Sequence, residues 1–396
     1  MIVADFRVMK LSIEKTFAAV CLLASSAVFT ACSDSDEPLD DDQTQTAEFK
    51  QNEAILSNYV NSVVIPTYRS LADAAILLAE DCEDLSSQEK VDKACTHWIA
   101  ARKYWELSEA FLFGAAADYN IDPHIDSWPL DLGQLDAVLK AGDIEQRIDA
   151  GTAGYGLLGF HAVEYVIFKE GSTGDKDNRN RDYSTITAAE AAFAAAVAAD
   201  MRDQCLRLEA SWAGVENISA SKLQLLDEAE LLPTTNYGER LIAAGQAGNT
   251  KYKTQTAAFE EIIVGASDIA NEVGNTKISD PMDSHQWSDV ESPHSWNSVA
   301  DFADNIRSVR NAYYGSLDGS VSSKSLSAYV AGVSAAADTK VKNCIATALQ
   351  KVEAMPTPFR NYIGETSGAN YDAIQAAVKA CNDLVDALDE AQEIIR

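Results

Sequence analysis

The chain has 396 residues, 47% of them hydrophobic, with 61 acidic against 31 basic side chains and a formal net charge of −30. That is enough material for two cores. The charge repels nucleic acid and anionic membrane surfaces, which excludes a role in DNA or RNA binding.

The N-terminus reads as a leader. Lys10 and Lys15 flank the start of an apolar run from Phe17 to Phe29, which ends in Phe29-Thr30-Ala31-Cys32. These are the basic region, short apolar region and small-residue cleavage site of a secretory signal. The small residues before Cys32 resemble a bacterial lipobox, which implies removal of residues 1–31 and lipidation of Cys32. Residues 32–47 form an acidic tether with no apolar face to fold around. The tether resembles a surface-export signal of Bacteroides-group lipoproteins, and a plain solvated spacer is the alternative. The apolar run is too short for a membrane span, and no later segment has the ~20 consecutive apolar residues that one needs. The expectation is a bacterial outer-membrane lipoprotein, periplasmic or surface-exposed, that meets the membrane through its lipid alone.

From Glu48 to Glu80 apolar residues recur at helical spacing (Ile55, Tyr59, Val63, Leu71, Ala75, Leu78), with Pro66 expected to kink or end the first part. Ser86-x-x-Glu89 reads as a capping box for a helix running through Trp98, Trp105 and Leu112. A Pro-bearing stretch from Tyr119 to Leu132 and a short helix near Leu135 lead into a Gly-rich approach, Gly151, Gly154 and Gly156. Lys169 to Tyr183 is polar loop. Thr187-x-x-Glu190 caps an alanine-rich helix to about Trp212. Periodicity fades over 213–235 apart from a short helical candidate at 222–232. It resumes at 237–246, 253–273, 296–314, 325–353 (with a break) and 371–395. No strand pattern occurs. The fold expected is all-α: an N-terminal bundle (48–212), a linker (213–235) and a C-terminal bundle (236–396). Both are antiparallel and similar enough in plan to suggest internal duplication.

Five cysteines remain beyond Cys32, none in a Cys-x-x-Cys, which argues against a thiolate zinc site. Outside the cytoplasm Cys82 with Cys95, and Cys344 with Cys381, could form disulfides, which would leave Cys205 over, and Cys82 and Cys95 are expected to lie within disulfide reach.

The chemistry concentrates in Gly159-Phe160-His161-Ala162-Val163-Glu164. From Tyr155 to Phe168 only His161 and Glu164 break an apolar, aromatic or Gly run. Three apart, they share a helix face, and a buried charge there needs a partner or a metal. A hydrogen-bonded core pair and a site are both consistent with this pattern. His-Glu-x-x-His is absent, so further ligands must be carboxylates, with Glu109, Asp122, Asp126 and Glu291 as candidates. Oxygen-rich ligation with imidazole suits iron or manganese, with zinc still allowed. Arg102, Trp105 and Glu109 lie on one helix stripe, where the charged pair serves either as a structural ion pair or as an anchor for a site carboxylate.

Gly159-x-His161-x-x-Glu164 resembles the signature of the imelysin-like family, which includes the insulin-cleaving membrane protease and iron-regulated protein A types. Arg102-x-x-Trp105-x-x-x-Glu109, the segment from Asp122 to Asp126 and Trp128-Pro129 resemble its N-terminal block. Glu272-Val273, the run from Glu291 and Ser295 to Ile306, and Tyr314-Gly315 resemble its C-terminal block. The resemblance implies two helical bundles with the His-Glu motif in a cleft, and an extracytoplasmic role linked to iron. Three functions stay open. The first is a lipid-anchored iron-acquisition protein that binds a metal ion or an iron-containing small ligand without turnover. In it His161, Glu164 and Glu109 are ligands, supported by Arg102, Trp105, Asp126, Trp128, Glu291 and Ser295. The second is a metallopeptidase with zinc on His161 and Glu164 and Glu109 as base. The third is a non-catalytic lipoprotein with envelope protein partners.

Overall fold

In the computed structural model, residues 46–168 and 179–396 are described. The leader, Cys32, nearly all of the acidic tether and most of the Lys169–Tyr183 loop lie outside them. The helices that build the site are labelled in chain order, and shorter ones are given by residue range.

Thr46 accepts from the Phe49 N–H and starts α1 (Ala47–Tyr59). A wider π-helical stretch, Val60–Val64, joins it to α2 (Ile65–Cys82) without a break. Pro66 therefore does not end the helix. It falls in the first turn of α2, where the preceding π turn has already shifted the hydrogen-bond register and a missing N–H costs little. By length and composition alone the joined helix Ala47–Cys82 would cross a membrane. Its apolar face is instead spent on the core through Ile55, Leu56, Val63, Leu71 and Leu78.

Ser87, not Ser86, caps α3 (Gln88–Glu106) by accepting from Lys90 N. The Ser86–Glu89 box is thus displaced by one residue, and Ser86 Oγ accepts from the Lys90 ammonium instead. α4 (Gly159–Ile167) carries the His–Glu motif. Thr187 and Glu190 form the expected reciprocal box at the head of α5 (Ala188–Ala213). The C-terminal half supplies α6 (Gln255–Glu272), a second π stretch (Val273–Ile278), α7 (Ser298–Tyr314), α8 (Ala335–Glu353) and α9 (Ala369–Ile395). The expected break in 325–353 falls at Ser334, between Leu326–Val333 and α8. Among the described residues there is no strand, only an isolated bridge between Phe168 and Asn180.

α2 packs against α3 and α5, and α4 lies against α3 and α5. In the C-terminal half, α9 packs against α6 and α8, and α7 against α6 and α8. α7 also packs on α3, and α6 on the 3₁₀ turn Glu109–Phe111. One apolar cluster consequently runs from Ile55 to Ile395. Within the 213–235 segment, Ala220–Glu228 is helical and packs on α5, where Ile218 and Leu226 join Ala72, Leu206 and Ala210 in a small cluster of their own.

The five described cysteines are free, which corrects the disulfide expectation. Cys95 Sγ donates to the Ile167 carbonyl at 3.3 Å, so its thiol is committed to the end of α4. Burial pushes the Cys82 thiol up to about 12 and Cys95 higher still.

Candidate functional site

The site begins with a close approach of two backbones. Gly159 opens α4 with φ +74°, and a Cβ there would sit 2.0 Å from the Ile125 carbonyl oxygen. Only glycine lets the motif helix abut the residue just before Asp126. This contact sets His161 beside Asp126, with Nε2 3.1 Å from Oδ1, although not aligned as a hydrogen bond.

The other ring nitrogen, Nδ1, lies 3.2 Å from Glu164 Oε2, one helical turn on. Glu164 Oε1 accepts from the backbone N–H groups of His294 at 3.0 Å and Ser295 at 2.7 Å. Both motif residues are buried. Burial would lower the His161 pKa, but the adjacent Asp126 and Glu164 carboxylates outweigh it and raise it to about 9. Burial would raise that of Glu164, yet the His161 contact, aided by the Ser295 N–H, holds it down at about 2. The expected contribution of Ser295 is therefore made by its main chain.

Arg102, fully buried on α3, is the electrostatic hub. Its guanidinium pairs with Asp126, with Glu291 Oε1 at 2.6 Å and with Glu106 Oε1 at 2.5 Å, and lies 3.7 Å from Asp301 Oδ2. Trp105, one turn along the stripe, donates from Nε1 to Asp126 Oδ2 at 2.6 Å. Lys277, buried in the second π stretch, sits 3.0 Å from Glu291 and 3.6 Å from Glu106. Asn305 of α7 donates to Glu106. Burial drives the Glu106 and Glu109 carboxyls well above the usual range, and Asp301 up to about 7, against the pull of neighbouring cations.

Two concavities reach this cluster, and Trp128 lines both. One is narrow, about 40 Å³, and includes His161, Glu164, Pro129, Trp287 and His294. The other, about 220 Å³, is lined by Glu109, Asp122, Asp126, Glu272 and Lys277. The Trp128 ring stands 6.0 Å from the His161 ring and carries the Lys277 ammonium at 5.5 Å. Two sets of donor atoms converge closely enough to share a metal ion: Asp126 with His161 and Glu291, and Glu106 with Glu109 and Asp126.

The structure thus gathers Arg102, Trp105, Asp126, Trp128, His161, Glu164, Glu291 and Ser295 in one place, with Glu109 on the wall of the wider cavity. Sequence reading missed Glu106 and Lys277, and gave Asp301 and Asn305 only as part of the C-terminal block, without a role at the site. Glu106 was open to discovery as the i+4 partner of Arg102 on the stripe. Lys277 gave no signal, because its burial depends on a π stretch whose register a 3.6-residue pattern does not reveal.

Comparison with known proteins finds relatives over most of the chain. The chain is 26% identical to iron-regulated protein A of Synechococcus elongatus over 345 residues, 85% of this chain and 86% of that protein. A crystal structure assigned to an iron-regulated protein A precursor from Parabacteroides distasonis superposes with a TM-score of 0.75 at 28% identity, covering 88% of this chain and 95% of that one. An imelysin-like protein from Psychrobacter arcticum, 13% identical, shares the fold with a TM-score of 0.55 over 87% of this chain and 93% of its own. Residues 64–391 match the family model described as imelysin, peptidase M75. With that match spanning most of the chain, the protein belongs to the imelysin family.

Proposed function

We propose that the protein is a lipid-anchored, extracytoplasmic iron-acquisition protein that binds a metal ion or an iron-containing small ligand at the Asp126–His161–Glu291 cluster, without turnover. The observation that carries this reading is the convergence of those three buried donors. Glu291 Oε2 and His161 Nε2 have no hydrogen-bond partner there. An imidazole with two carboxylates is a donor set suited to iron, with zinc tolerated.

Glu164 takes a different part from the ligand role expected of it. Both its oxygens are occupied, by His161 Nδ1 and by two main-chain N–H groups. It fixes the imidazole so that Nε2 faces Asp126, as a carboxylate behind a metal-binding histidine does. Arg102 and Lys277 neutralise part of the carboxylate charge, and the proton on His161 supplies more in the metal-free protein. A bound cation takes the place of that proton. Glu109, Asp122 and Glu272 along the wider cavity offer an acidic approach for cations.

The peptidase reading lacks its base. Glu109 was the candidate, and its burial disfavours the carboxylate form that a general base needs. The relatives named for iron regulation, Synechococcus iron-regulated protein A among them, favour the iron reading. Metal analysis of protein purified without chelator, with iron titration of wild type and His161→Ala beside a peptide-cleavage assay, tests it. Bound iron lost in the variant, without cleavage in either, is expected; equal binding by both would overturn it. Fatty-acid labelling lost in Cys32→Ala checks the anchor.

A further inference from the structure

A further concavity, about 600 Å³, lies between α2, α3 and α7 and shares no residue with the two cavities lined by Trp128. Its charge is opposite to that of the molecule. In a chain with about two acids for every base, Lys103, Arg307 and Arg310 all line it, against the single carboxylate of Asp304. Arg307 is already matched, by Asp304 at 2.6 Å and by Glu353.

Lys103 and Arg310 are not matched. Lys103 is exposed and Arg310 half-buried, and no described carboxylate lies within ion-pair distance of either. Arg310 is held in place by donating to the amide oxygen of Asn311 at 2.9 Å, a neutral partner, while Asp318 and Asp304 act on its charge only from beyond ion-pair distance. Burial and the neighbouring Arg307 both disfavour that charge. Holding a partly desolvated arginine without an ion-pair partner is costly, and an anion reaching both Arg310 and the exposed Lys103 would relieve it. The rest of the lining includes apolar Ile99, Leu107 and Leu317 and the Tyr104 ring. Volume and mixed lining match sites for small organic molecules more than a site for a bare inorganic ion.

We propose that this groove binds a small organic multicarboxylate, with Lys103 and Arg310 taking its carboxylates and the apolar wall its carbon skeleton. The test is calorimetric titration of the full mature chain. Metal is first removed with the neutral chelator phenanthroline, since carboxylate chelators would themselves compete. The probes are tricarballylate, inorganic phosphate and the uncharged triamide of the same skeleton. Tricarballylate is expected to bind, and phosphate and the triamide to bind at least roughly tenfold more weakly. Lys103→Gln and Arg310→Gln are each expected to weaken tricarballylate roughly tenfold, as for loss of one charge-assisted pair. Their melting temperatures should hold, and Lys103→Arg should retain affinity. Phosphate binding as tightly as tricarballylate would overturn the proposal, as would undiminished affinity in the two glutamine variants or no wild-type binding at millimolar probe.

Discussion

At the scale of single residues, the motif divides its labour. Gly159 allows contact, His161 faces the carboxylates and Glu164 holds His161. Replacing Gly159 with Ala puts a methyl group onto the Ile125 carbonyl and demands a left-handed φ, which alone costs roughly 1–2 kcal/mol. The melting temperature should fall by more than that strain accounts for, because the backbones must also separate. His161→Ala should be milder. Glu164 keeps two main-chain donors and Asp126 keeps Arg102 and Trp105. A cost of about 1–3 kcal/mol is therefore expected, as for a lost buried hydrogen bond, not the 3–5 kcal/mol of a charge left alone. Denaturant titration of the metal-free variant separates the two.

The same pair sets a pH window. His161 titrates higher folded, at about 9, than its ordinary 6.5, so its stabilisation is complete below about 6.5 and is lost as pH rises through 9. Glu164 titrates lower folded, at about 2 against 4.5, so its share is complete above about 4.5 and is lost as pH falls through 2. Thermal melts of the metal-free protein should show this pair's support at its fullest between about 4.5 and 6.5. In His161→Gln the alkaline fall should be shallower, and an unchanged slope would remove the pair from the account.

At the scale of elements, the two π stretches and the close helix crossings do most of the positioning. Val273–Ile278 turns Lys277 inward, and α6 presses on the turn that carries Glu109. At that crossing a Cβ on Gly265 would meet the Ala110 carbonyl oxygen at 2.5 Å. Gly265→Ala gains helix propensity in α6 but forces α6 away from the turn, and overpacking of this kind costs about 1–3 kcal/mol. A net loss of stability with disturbed metal binding is the expected result; a stabilised variant would show that the crossing yields easily. The capping boxes show how far local rules reach. Thr187 and Glu190 formed theirs as written, whereas at α3 adjacent serines competed and the one closer to the helix won.

At the scale of the whole molecule, Arg102 ties α3 to the Asp126 segment, to Glu291 and to α7 through Asp301. Arg102→Met keeps much of the volume but leaves these carboxylates facing one another without their shared cation. A loss of roughly 3–5 kcal/mol is expected, visible as a large drop in melting temperature that acid pH partly restores by protonating the carboxylates. The apolar cluster running from Ile55 to Ile395 also predicts that wild-type melting is a single transition.

The sequence by itself determined the helices and the chemistry's address. Periodicity and caps are local properties, so α5, α6, α7 and α9 were legible to within a few residues. An isolated His and Glu in an apolar run can be recognised without knowing their neighbours. The acidic character of the chain was legible too, since composition needs no fold. Only the tertiary structure decided who faces whom. Asp126, Glu291 and Arg102 are far apart in sequence, and their meeting depends on a glycine contact and on two helices crossing. Lys277 became a site residue, and Glu164 a holder of His161, because burial and hydrogen-bond direction are properties of the packed molecule. The cysteines make the same point from the other side. Their spacing suited a bridge, yet the direction of the Cys95 thiol, toward the Ile167 carbonyl, was set by the packing of α3 on α4.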